Sequence, residues 1–307
     1  MTALITGAGG FVGSHLCRSL SRAGVGVRQV SGRRASSPDE SAVIHLLEPC
    51  EDRIVRALGG VDVVYYLAAV AHEAVARSDP EALAAVNVEA PLRWLRAAER
   101  AGTRRFVWLS SIKVLGDVSA EPLRPGDPYR TGNAYARSKQ HAEQRLLAEP
   151  RAATGLAVVR PPLVYGPSVR GNFLTLLRWA ANGLPLPLAR AQAQRSMVGI
   201  DNLCDLLLRL GSDGEGIFHV ADPVDVCVAD LMRQVRALLG RPARLLAVPP
   251  PMLEAAARLL RRPEIYSRLF APLRVDASAT RAQLAWSPPC GLTQQLTETV
   301  AWFRSSR

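Results

Sequence analysis

Three regularly spaced glycines between an apolar segment and an amphipathic one constrain the fold most strongly. Residues 3–6 read as a buried strand and residues 11–23 as a helix. Gly7, Gly10 and Gly13 lie between them in the pattern G-x-x-G-x-x-G. Glycines there let the backbone turn tightly and approach a pyrophosphate, which binds at the positive end of the helix. A plain strand-to-helix turn is the alternative, but this position in the chain favours dinucleotide binding.

Short apolar runs and longer amphipathic runs alternate over the first half of the chain. Runs that are apolar throughout, separated by helices, are typical of a parallel sheet that is covered on both faces. The predicted further strands are 26–31, 42–46, 62–67, 105–110 and 156–160, and the predicted further helices are 80–101 and 133–147. The pattern predicts an α/β fold with a doubly wound parallel sheet of the Rossmann type.

The regular alternation ends near residue 165, where prolines and short helical segments become frequent. We therefore predict a dinucleotide-binding domain over residues 1–165. A smaller, mostly helical substrate-binding domain is predicted over residues 166–307, with some of its segments returning to the Rossmann sheet.

The end of the second predicted strand bears on the choice of cofactor. A carboxylate there binds the ribose 2′-hydroxyl of NAD, whereas arginines accommodate the 2′-phosphate of NADP. The chain has Ser31, Arg33 and Arg34 at this point, with no carboxylate before Asp39. This favours NADP(H) over NAD(H). The alternative is that both arginines belong to a general excess, since the chain has 36 arginines and two lysines.

One of the two lysines follows a tyrosine by four positions. Tyr135 and Lys139 share a face of the predicted helix, and a lysine ammonium is a compact charge that can lower the pKa of a neighbouring phenol. Ser110 and Ser111 end the strand 105–110, at the edge where doubly wound folds bind ligands. Tyr135 and a serine could flank one substrate oxygen. A chance surface pair and a loop-capping serine are the alternatives.

Composition excludes several other classes of function. The formal net charge is +11, but the arginines are scattered and form no long block, so no nucleic-acid partner is predicted. The five cysteines are widely spaced, which favours reduced thiols and a cytoplasmic location. No apolar run reaches the ~18 residues that a membrane span needs. The histidines lack the spacing of metal ligands, and no metal is expected.

Several motifs, in order along nearly the whole chain, resemble the extended short-chain dehydrogenase/reductases of the nucleotide-sugar epimerase/dehydratase type. The matching segments are 6–13, 67–69, Asn87, 109–111, 135–139, 160–167 and 284–288. The resemblance implies that Ser111, Tyr135 and Lys139 form the catalytic triad and that Lys139 also binds the nicotinamide ribose. It implies cofactor contacts from Gly7, Gly10, Phe11, Val12, Gly13, Leu67, Ala68, Ala69, Asn87, Ser110, Tyr135, Lys139 and Pro161.

The chain departs from this family directly after Ser111. Dehydratases of this type carry an Asp-Glu pair there, where this chain has Ile112 and Lys113, so 4,6-dehydration is not expected. Segments 163–167, 184–188 and 195–198 are similar to bacterial nucleotide-sugar enzymes of O-antigen and capsule synthesis. That group includes reductases of UDP-4-keto-6-deoxy-N-acetylhexosamine and proteins labelled 4-epimerases. Expected contacts to a nucleotide sugar, in particular a UDP-sugar, come from Lys113, Tyr135, Asn172, Arg195 and Arg268. The alternative for Lys113 is a solvent-facing position beside Asp117 or Glu121.

Three functions remain open from the sequence. A reductase would transfer hydride from NADPH to a 4-keto sugar nucleotide in surface polysaccharide synthesis, and the arginines after the second strand favour it. A 4-epimerase would retain NAD and return the hydride to the same carbon. A non-enzymatic NADP-binding regulator is the third, disfavoured because Tyr135 and Lys139 are both present. A homodimer is expected.

Residues 252–262 form an amphipathic and basic stretch. Packing on the second domain is the favoured interpretation, and contact with a membrane surface is the alternative.

Overall fold

The computed structural model describes residues 1–30, 45–70 and 79–306. Its centre is a six-stranded sheet in the order β2-β1-β3-β4-β6-β10, in which every neighbouring pair is parallel. The strands are β1 Thr2–Thr6, β2 Gly26–Val30, β3 Val63–Tyr66, β4 Arg105–Leu109, β6 Gly155–Arg160 and β10 Gly216–His219. The predicted doubly wound parallel sheet is confirmed. Of the predicted strand 42–46, residues 42–44 lie outside the described residues.

Helices cover both faces of this sheet because its strands are apolar on both sides. Alternate residues of one strand belong to different cores: Ala3 and Ile5 pack on one face, Leu4 on the other. Helices α1 Phe11–Arg22 and α7 Ile200–Leu210 cover the first face. Helices α2 Glu51–Ala57, α4 Ala90–Ala101 and α5 Ala134–Ala148 cover the second.

The predicted helix 80–101 is interrupted within its first half. It consists of α3 Pro80–Ala84, a π-helical turn Ala85–Glu89 and α4. Asp79 caps its start by accepting a hydrogen bond from the amide of Ala82 at 2.8 Å. A π-helical turn changes the direction of the side chains within it, and such turns are frequent at functional sites. Here it contains Asn87.

The region after residue 165 is mostly helical, as predicted. Its own core lies between α6 Gly171–Ala181, α8 Val228–Leu238 and α12 Leu292–Ser305. The remaining helices are α9 Pro250–Leu259, α10 Pro263–Phe270 and α11 Ser278–Leu284. Short strands complete two small sheets: β11-β8-β12-β5 and β7-β9, with β5 Ser119–Leu123, β7 Leu163–Tyr165, β8 Gln194–Arg195, β9 Met197–Gly199, β11 Val226–Cys227 and β12 Leu273–Val275.

The segment 252–262 lies mostly in helix α9, which packs against α10 within the region after residue 165 and has no fully buried residue. Within the described residues, no helix has both the length and the apolar character needed to cross a bilayer.

Candidate active site

The glycine loop lies between β1 and α1, and its backbone is too closely packed for side chains at two of the three positions. Gly7 has a φ of +73°, which disfavours any residue with a Cβ. A Cβ on Gly13 would lie 2.2 Å from the carbonyl oxygen of Gly7, so the helix can approach the loop only because Gly13 lacks one. The amide of Gly10 donates to the same carbonyl at 2.9 Å. The predicted spacing therefore produces a tight strand-to-helix turn.

The start of α1 is suited to an anion. Gly10 caps the helix without a side chain, and the first turn carries no acidic residue. The first amides of a helix have no partner within the helix and carry its positive dipole end. Phe11 and Val12 are partly buried in this turn. The residues present thus fit the pyrophosphate of a dinucleotide.

A second loop, after β3, lies directly beside the glycine loop. The buried hydroxyl oxygen of Thr6 accepts hydrogen bonds from the amides of Leu67 and Ala68 at 3.1 and 3.2 Å. A Cβ on Gly7 would lie 3.0 Å from the amide nitrogen of Ala68. The two loops are therefore held together at the carboxyl edge of the sheet. Ala69 follows in the same loop.

Asn87 connects this loop to the helix that carries the tyrosine and the lysine. Its side-chain oxygen accepts from the amide of Val70 at 2.8 Å, and its amide group donates to the Val70 carbonyl and to Ser138 Oγ at 3.1 and 2.9 Å. Ser138 in turn donates to the carbonyl of Tyr135 at 2.8 Å. Both amide hydrogens of Asn87 are used, and its side chain is 1% exposed. Asn87 therefore positions α5 against the cofactor loops.

Ser111 and Tyr135 are brought together by different elements. Ser111 follows β4 and caps the 3₁₀ turn Ile112–Val114, while Tyr135 lies in the first turn of α5. Burial raises the pKa of Tyr135 to about 12, and the hydroxyl of Ser111 opposes this rise, so the two side chains lie within interaction range. Asn133 sets the helix start by accepting from the amide of Ala136 at 2.8 Å.

Lys139 lies one turn further along α5 and is almost fully buried. Its Nζ donates to the carbonyl of Leu109 at 2.7 Å and lies 4.5 Å from the centre of the Trp108 ring. Burial lowers the pKa of Lys139 to about 7, and the carboxylate of Glu143 opposes this change. A lysine whose charge is so weakly favoured is unusual outside functional sites.

Beneath Lys139 lies a buried charged network that the sequence pattern did not predict. Glu143 is 0% exposed and forms an ion pair with Arg160, which is 1% exposed. Ser110 and Tyr129 also donate hydroxyl hydrogen bonds to this carboxylate at 2.7 and 2.9 Å. The spacing of four residues between Lys139 and Glu143 was the available signal, since it places both on one helix face. The partner of Glu143, Arg160, comes from a distant strand.

Ser110 therefore has a structural partner, and Pro161 has a structural role as well. The carbonyl of Pro161 accepts from the amide of Ile112 at 3.0 Å, and the amide of Ser110 donates to the Val159 carbonyl at 2.7 Å. These bonds hold the segment after β4 against β6. Ile112 is 1% exposed, so its side chain points into the core.

Three of the predicted substrate contacts are cations: Lys113, Arg195 and Arg268. Lys113 Nζ lies 3.3 Å from Asp117, an ion pair that the sequence leaves open as the alternative for this residue. Burial lowers the pKa of Arg195, Asp117 opposes this effect and Arg268 adds to it, so the three charges lie within interaction range. The side chain of Arg195 also donates to the carbonyl of Ala271.

Other predicted residues are less informative. Asn172 lies exposed in the first turn of α6. Ser31, Arg33 and Arg34, on which the preference for NADP depends, lie outside the described residues. Among residues 1–30, 45–70 and 79–306, no cluster of three His, Cys, Asp or Glu side chains could hold a metal ion.

Comparison with known proteins agrees with this geometry. Residues 3–221 match the NAD dependent epimerase/dehydratase family. The chain is 31% identical to a UDP-glucose 4-epimerase of Vibrio cholerae, over 98% of this chain and 94% of that protein. It is 26% identical to the N-acetyl-alpha-D-glucosaminyl-diphospho-ditrans,octacis-undecaprenol 4-epimerase of Escherichia coli O157:H7, over 81% of this chain and 76% of that protein.

The fold is shared with solved structures as well. The UDP-glucose 4-epimerase of Thermotoga maritima, solved with UDP-glucose, superimposes with a TM-score of 0.79 at 21% identity, over 100% of this chain and 99% of that one. The glycine loop, the Tyr135–Lys139 helix and the family match over residues 3–221 lead to one conclusion. This chain belongs to the NAD dependent epimerase/dehydratase family and is an enzyme of the extended short-chain dehydrogenase/reductase type.

Proposed function

We propose that this enzyme acts at C4 of a UDP-linked sugar and interconverts the two C4 epimers through a 4-keto sugar. The observation that carries the proposal is the group Ser111, Tyr135 and Lys139 together with the two residues after the serine. Ile112 is buried, and Lys113 is paired with Asp117. These two positions therefore supply no free acid or base for loss of water, and proton transfer at one sugar oxygen remains.

The bound dinucleotide supplies the acceptor and donor of hydride. Tyr135 would take the proton of the C4 hydroxyl and return it, with Ser111 holding the same oxygen. Lys139, when protonated, would stabilise the phenolate of Tyr135 and lower the pKa of the phenol, so that more of Tyr135 is deprotonated at neutral pH. Glu143 would favour the protonated form of Lys139. It would not contact the substrate itself, because its carboxylate is bonded to Arg160, Ser110 and Tyr129.

The cation group Lys113, Arg195 and Arg268 would bind the diphosphate of the substrate. Arginine and lysine are the side chains best suited to phosphate oxygens. Asp117 would orient Lys113 in the free enzyme. Asn172 is proposed as a further contact to the sugar nucleotide. The similarity to the Vibrio cholerae UDP-glucose 4-epimerase supports a UDP-sugar as the substrate class.

A second candidate is reduction of a UDP-4-keto-6-deoxy-hexosamine in surface polysaccharide synthesis. The observation in its favour is Arg33 and Arg34 after the second strand, with no carboxylate before Asp39. This pattern suits NADP(H), the cofactor pool that a reductase uses, whereas an epimerase recycles a retained NAD. The non-enzymatic alternative is disfavoured because Tyr135 and Lys139 are both present and the chain belongs to an enzyme family.

One experiment separates these candidates. Purified enzyme is incubated with UDP-glucose, UDP-galactose and their N-acetyl forms without added dinucleotide, and the sugars are followed by proton NMR. An epimerase converts them and keeps the C4 hydrogen in deuterated water. A reductase leaves them unchanged but oxidises NADPH when given a UDP-4-keto-6-deoxy-N-acetylhexosamine.

The same samples identify the cofactor and the assembly. Dinucleotide released by denaturing the protein is separated by chromatography, and light scattering tests the proposed homodimer. Retained NAD with conversion of UDP-sugars supports the epimerase, whereas exchangeable NADP supports the reductase. If the enzyme does neither reaction at any dinucleotide concentration, the proposed function is wrong.

A further inference from the structure

Helix α9 turns its apolar stripe to solvent. Met252, Ala255, Ala256, Leu259 and Leu260 follow the spacing i, i+3, i+4, i+7, i+8, which in a surface helix of a globular protein normally faces the core. In this structure all five are exposed, with Met252 63%, Leu259 85% and Leu260 72% accessible. Large apolar side chains grouped on one exposed face are typical of a surface that binds another protein, a membrane or a ligand.

Helix α9 packs against a neighbouring helix. Helices α9 and α10 pack against each other, and neither has a buried residue. This α9–α10 hairpin (residues 250–270) joins the body through the end of α10, where Leu269 and Phe270 pack on the C-terminal core and Tyr266 stacks on Phe270 at 5.0 Å. The apolar stripe is therefore held out from the body by a structured support.

The charge of the hairpin indicates what covers the stripe. It carries four arginines against two glutamates, in a chain with a net charge of +11. Arg261 and Arg262 follow the stripe directly and are exposed, while Arg258 pairs with Glu254 at 2.6 Å. A second copy of this chain would bring two basic surfaces together. An anionic lipid surface matches both features, because it attracts arginines and accepts apolar side chains between its headgroups.

We propose that the α9–α10 hairpin binds the surface of an anionic lipid bilayer, with the stripe Met252–Leu260 at the boundary between headgroups and acyl chains. This binding holds whichever reaction the active site performs. The hairpin also carries Arg268, whose charge acts on Arg195. If the proposed function holds, the diphosphate-binding group thus lies beside the bilayer, within reach of a sugar diphosphate esterified to a membrane lipid.

Vesicle flotation of the full-length protein tests this proposal. The wild type should float with vesicles of phosphatidylglycerol and phosphatidylcholine, bind vesicles of phosphatidylcholine alone at least ten-fold less, and dissociate as salt is raised. The double variant Leu259→Ser/Leu260→Ser should lose at least ten-fold in vesicle binding. A matched control is Val224→Ser, which changes an apolar residue 64% exposed elsewhere on the surface and should bind as the wild type does.

Two further measurements keep the outcome unambiguous. Turnover of a water-soluble UDP-sugar should be the same in the double variant and the wild type, because both leucines face solvent on α9. Should the double variant fold poorly, Arg261→Gln/Arg262→Gln replaces it and should weaken vesicle binding several-fold.

Failure of the wild type to bind anionic vesicles overturns the proposal, as does undiminished vesicle binding by the variants. A dimer that dissociates only in the double variant would assign the stripe to a second copy instead.

Discussion

Tyr135 is subject to opposing effects on its pKa. Burial raises the pKa to about 12, while the neighbouring hydroxyl of Ser111 acts to lower it. A phenol with so high a pKa is protonated at neutral pH and cannot accept a proton from the substrate. Its action as a base therefore depends on nearby positive charge that lowers its pKa. Lys139 and a bound nicotinamide are the two groups that would supply it.

The first prediction concerns the hydroxyl of Tyr135. Tyr135→Phe should keep the fold and dinucleotide binding but lower kcat by about 10²–10⁴-fold, as general acid–base groups do. Tyr266→Phe is the matched control, since that ring stacks on Phe270 within the α9–α10 hairpin and should retain full activity. Steady-state kinetics on the true substrate decides the question, and near-normal turnover of Tyr135→Phe would remove this residue as the proton carrier.

The second prediction concerns the protonation of Lys139. Burial lowers its pKa to about 7 from the ordinary 10.5. Between these two values the unfolded chain binds the proton that the folded chain has released, so this group makes the free energy of unfolding rise with pH across that window. Below pH 7 both states are protonated, and the cost of burying the charge is fully present.

This titration can be observed directly because the chain has only two lysines. A sample labelled with ¹³C-lysine should show two Cε signals, one of which moves with a midpoint near pH 7 in the cofactor-free protein. Lys113→Arg removes the other signal and so assigns the pair. A Lys139 signal that shifts only above pH 9 would show that the ammonium stays charged despite its burial.

At the scale of the element, the turn from β1 into α1 depends on the absence of one Cβ. A Cβ on Gly13 would lie 2.2 Å from the Gly7 carbonyl, whereas one on Gly9 would have nothing within 4 Å. Gly13→Ala should displace the helix start, weaken dinucleotide binding at least ten-fold and cost about 1–3 kcal/mol of stability. Gly9→Ala should change neither. Calorimetric titration with NAD and NADP, beside thermal unfolding, measures both effects. Equal behaviour of the two variants would contradict the proposed cradle.

Helix α5 and strand β6 are joined by the buried pair Glu143–Arg160. Removing one charge of a buried pair leaves the other uncompensated, so Glu143→Gln should lower the free energy of unfolding by about 3–5 kcal/mol. The matched control is Glu149→Gln, in which the lost partner is Arg96, a side chain 49% exposed, and where about 1 kcal/mol or less is expected. Urea denaturation gives both values, and similar small losses would mean that the network adds little.

At the scale of the whole molecule, residues far apart in the chain share one core. Ile200, Leu203 and Leu207 of α7 pack with Leu16 and Leu20 of α1 on the same sheet face. Strand β10 extends the sheet beside β6. The edge and one face of the sheet are therefore completed by residues after 165.

We predict from this that residues 1–165 do not fold alone. Without α7 and β10 the fragment would expose apolar surface of β1, β3 and β6, and should aggregate or show no fixed side-chain packing. Near-UV circular dichroism and amide NMR of the fragment test this. A soluble fragment with dispersed native-like spectra would show that the predicted dinucleotide-binding domain is an independent unit.

The strands, the glycine turn and the Tyr135–Lys139 face could be predicted from the sequence because each depends on neighbours within a few residues. Hydrophobic period, glycine spacing and the four-residue helical repeat are local properties. The order of these local motifs indicated the family. The predicted continuous helix 80–101 is instead interrupted by a π-helical turn, which depends on the packing around it and not on the local sequence pattern.

Tertiary structure alone decided which distant residues meet. Glu143 and Arg160 form one buried pair, and Asn87 contacts both Val70 and Ser138. Lys113 pairs with Asp117, a choice that spacing left open. An amphipathic pattern likewise shows that a helix has an apolar side but not which side meets the core. The sequence thus determined the parallel sheet and the cofactor turn, and the packing of distant elements determined the partners of each buried charge and the exposure of α9, because burial is a property of the whole fold.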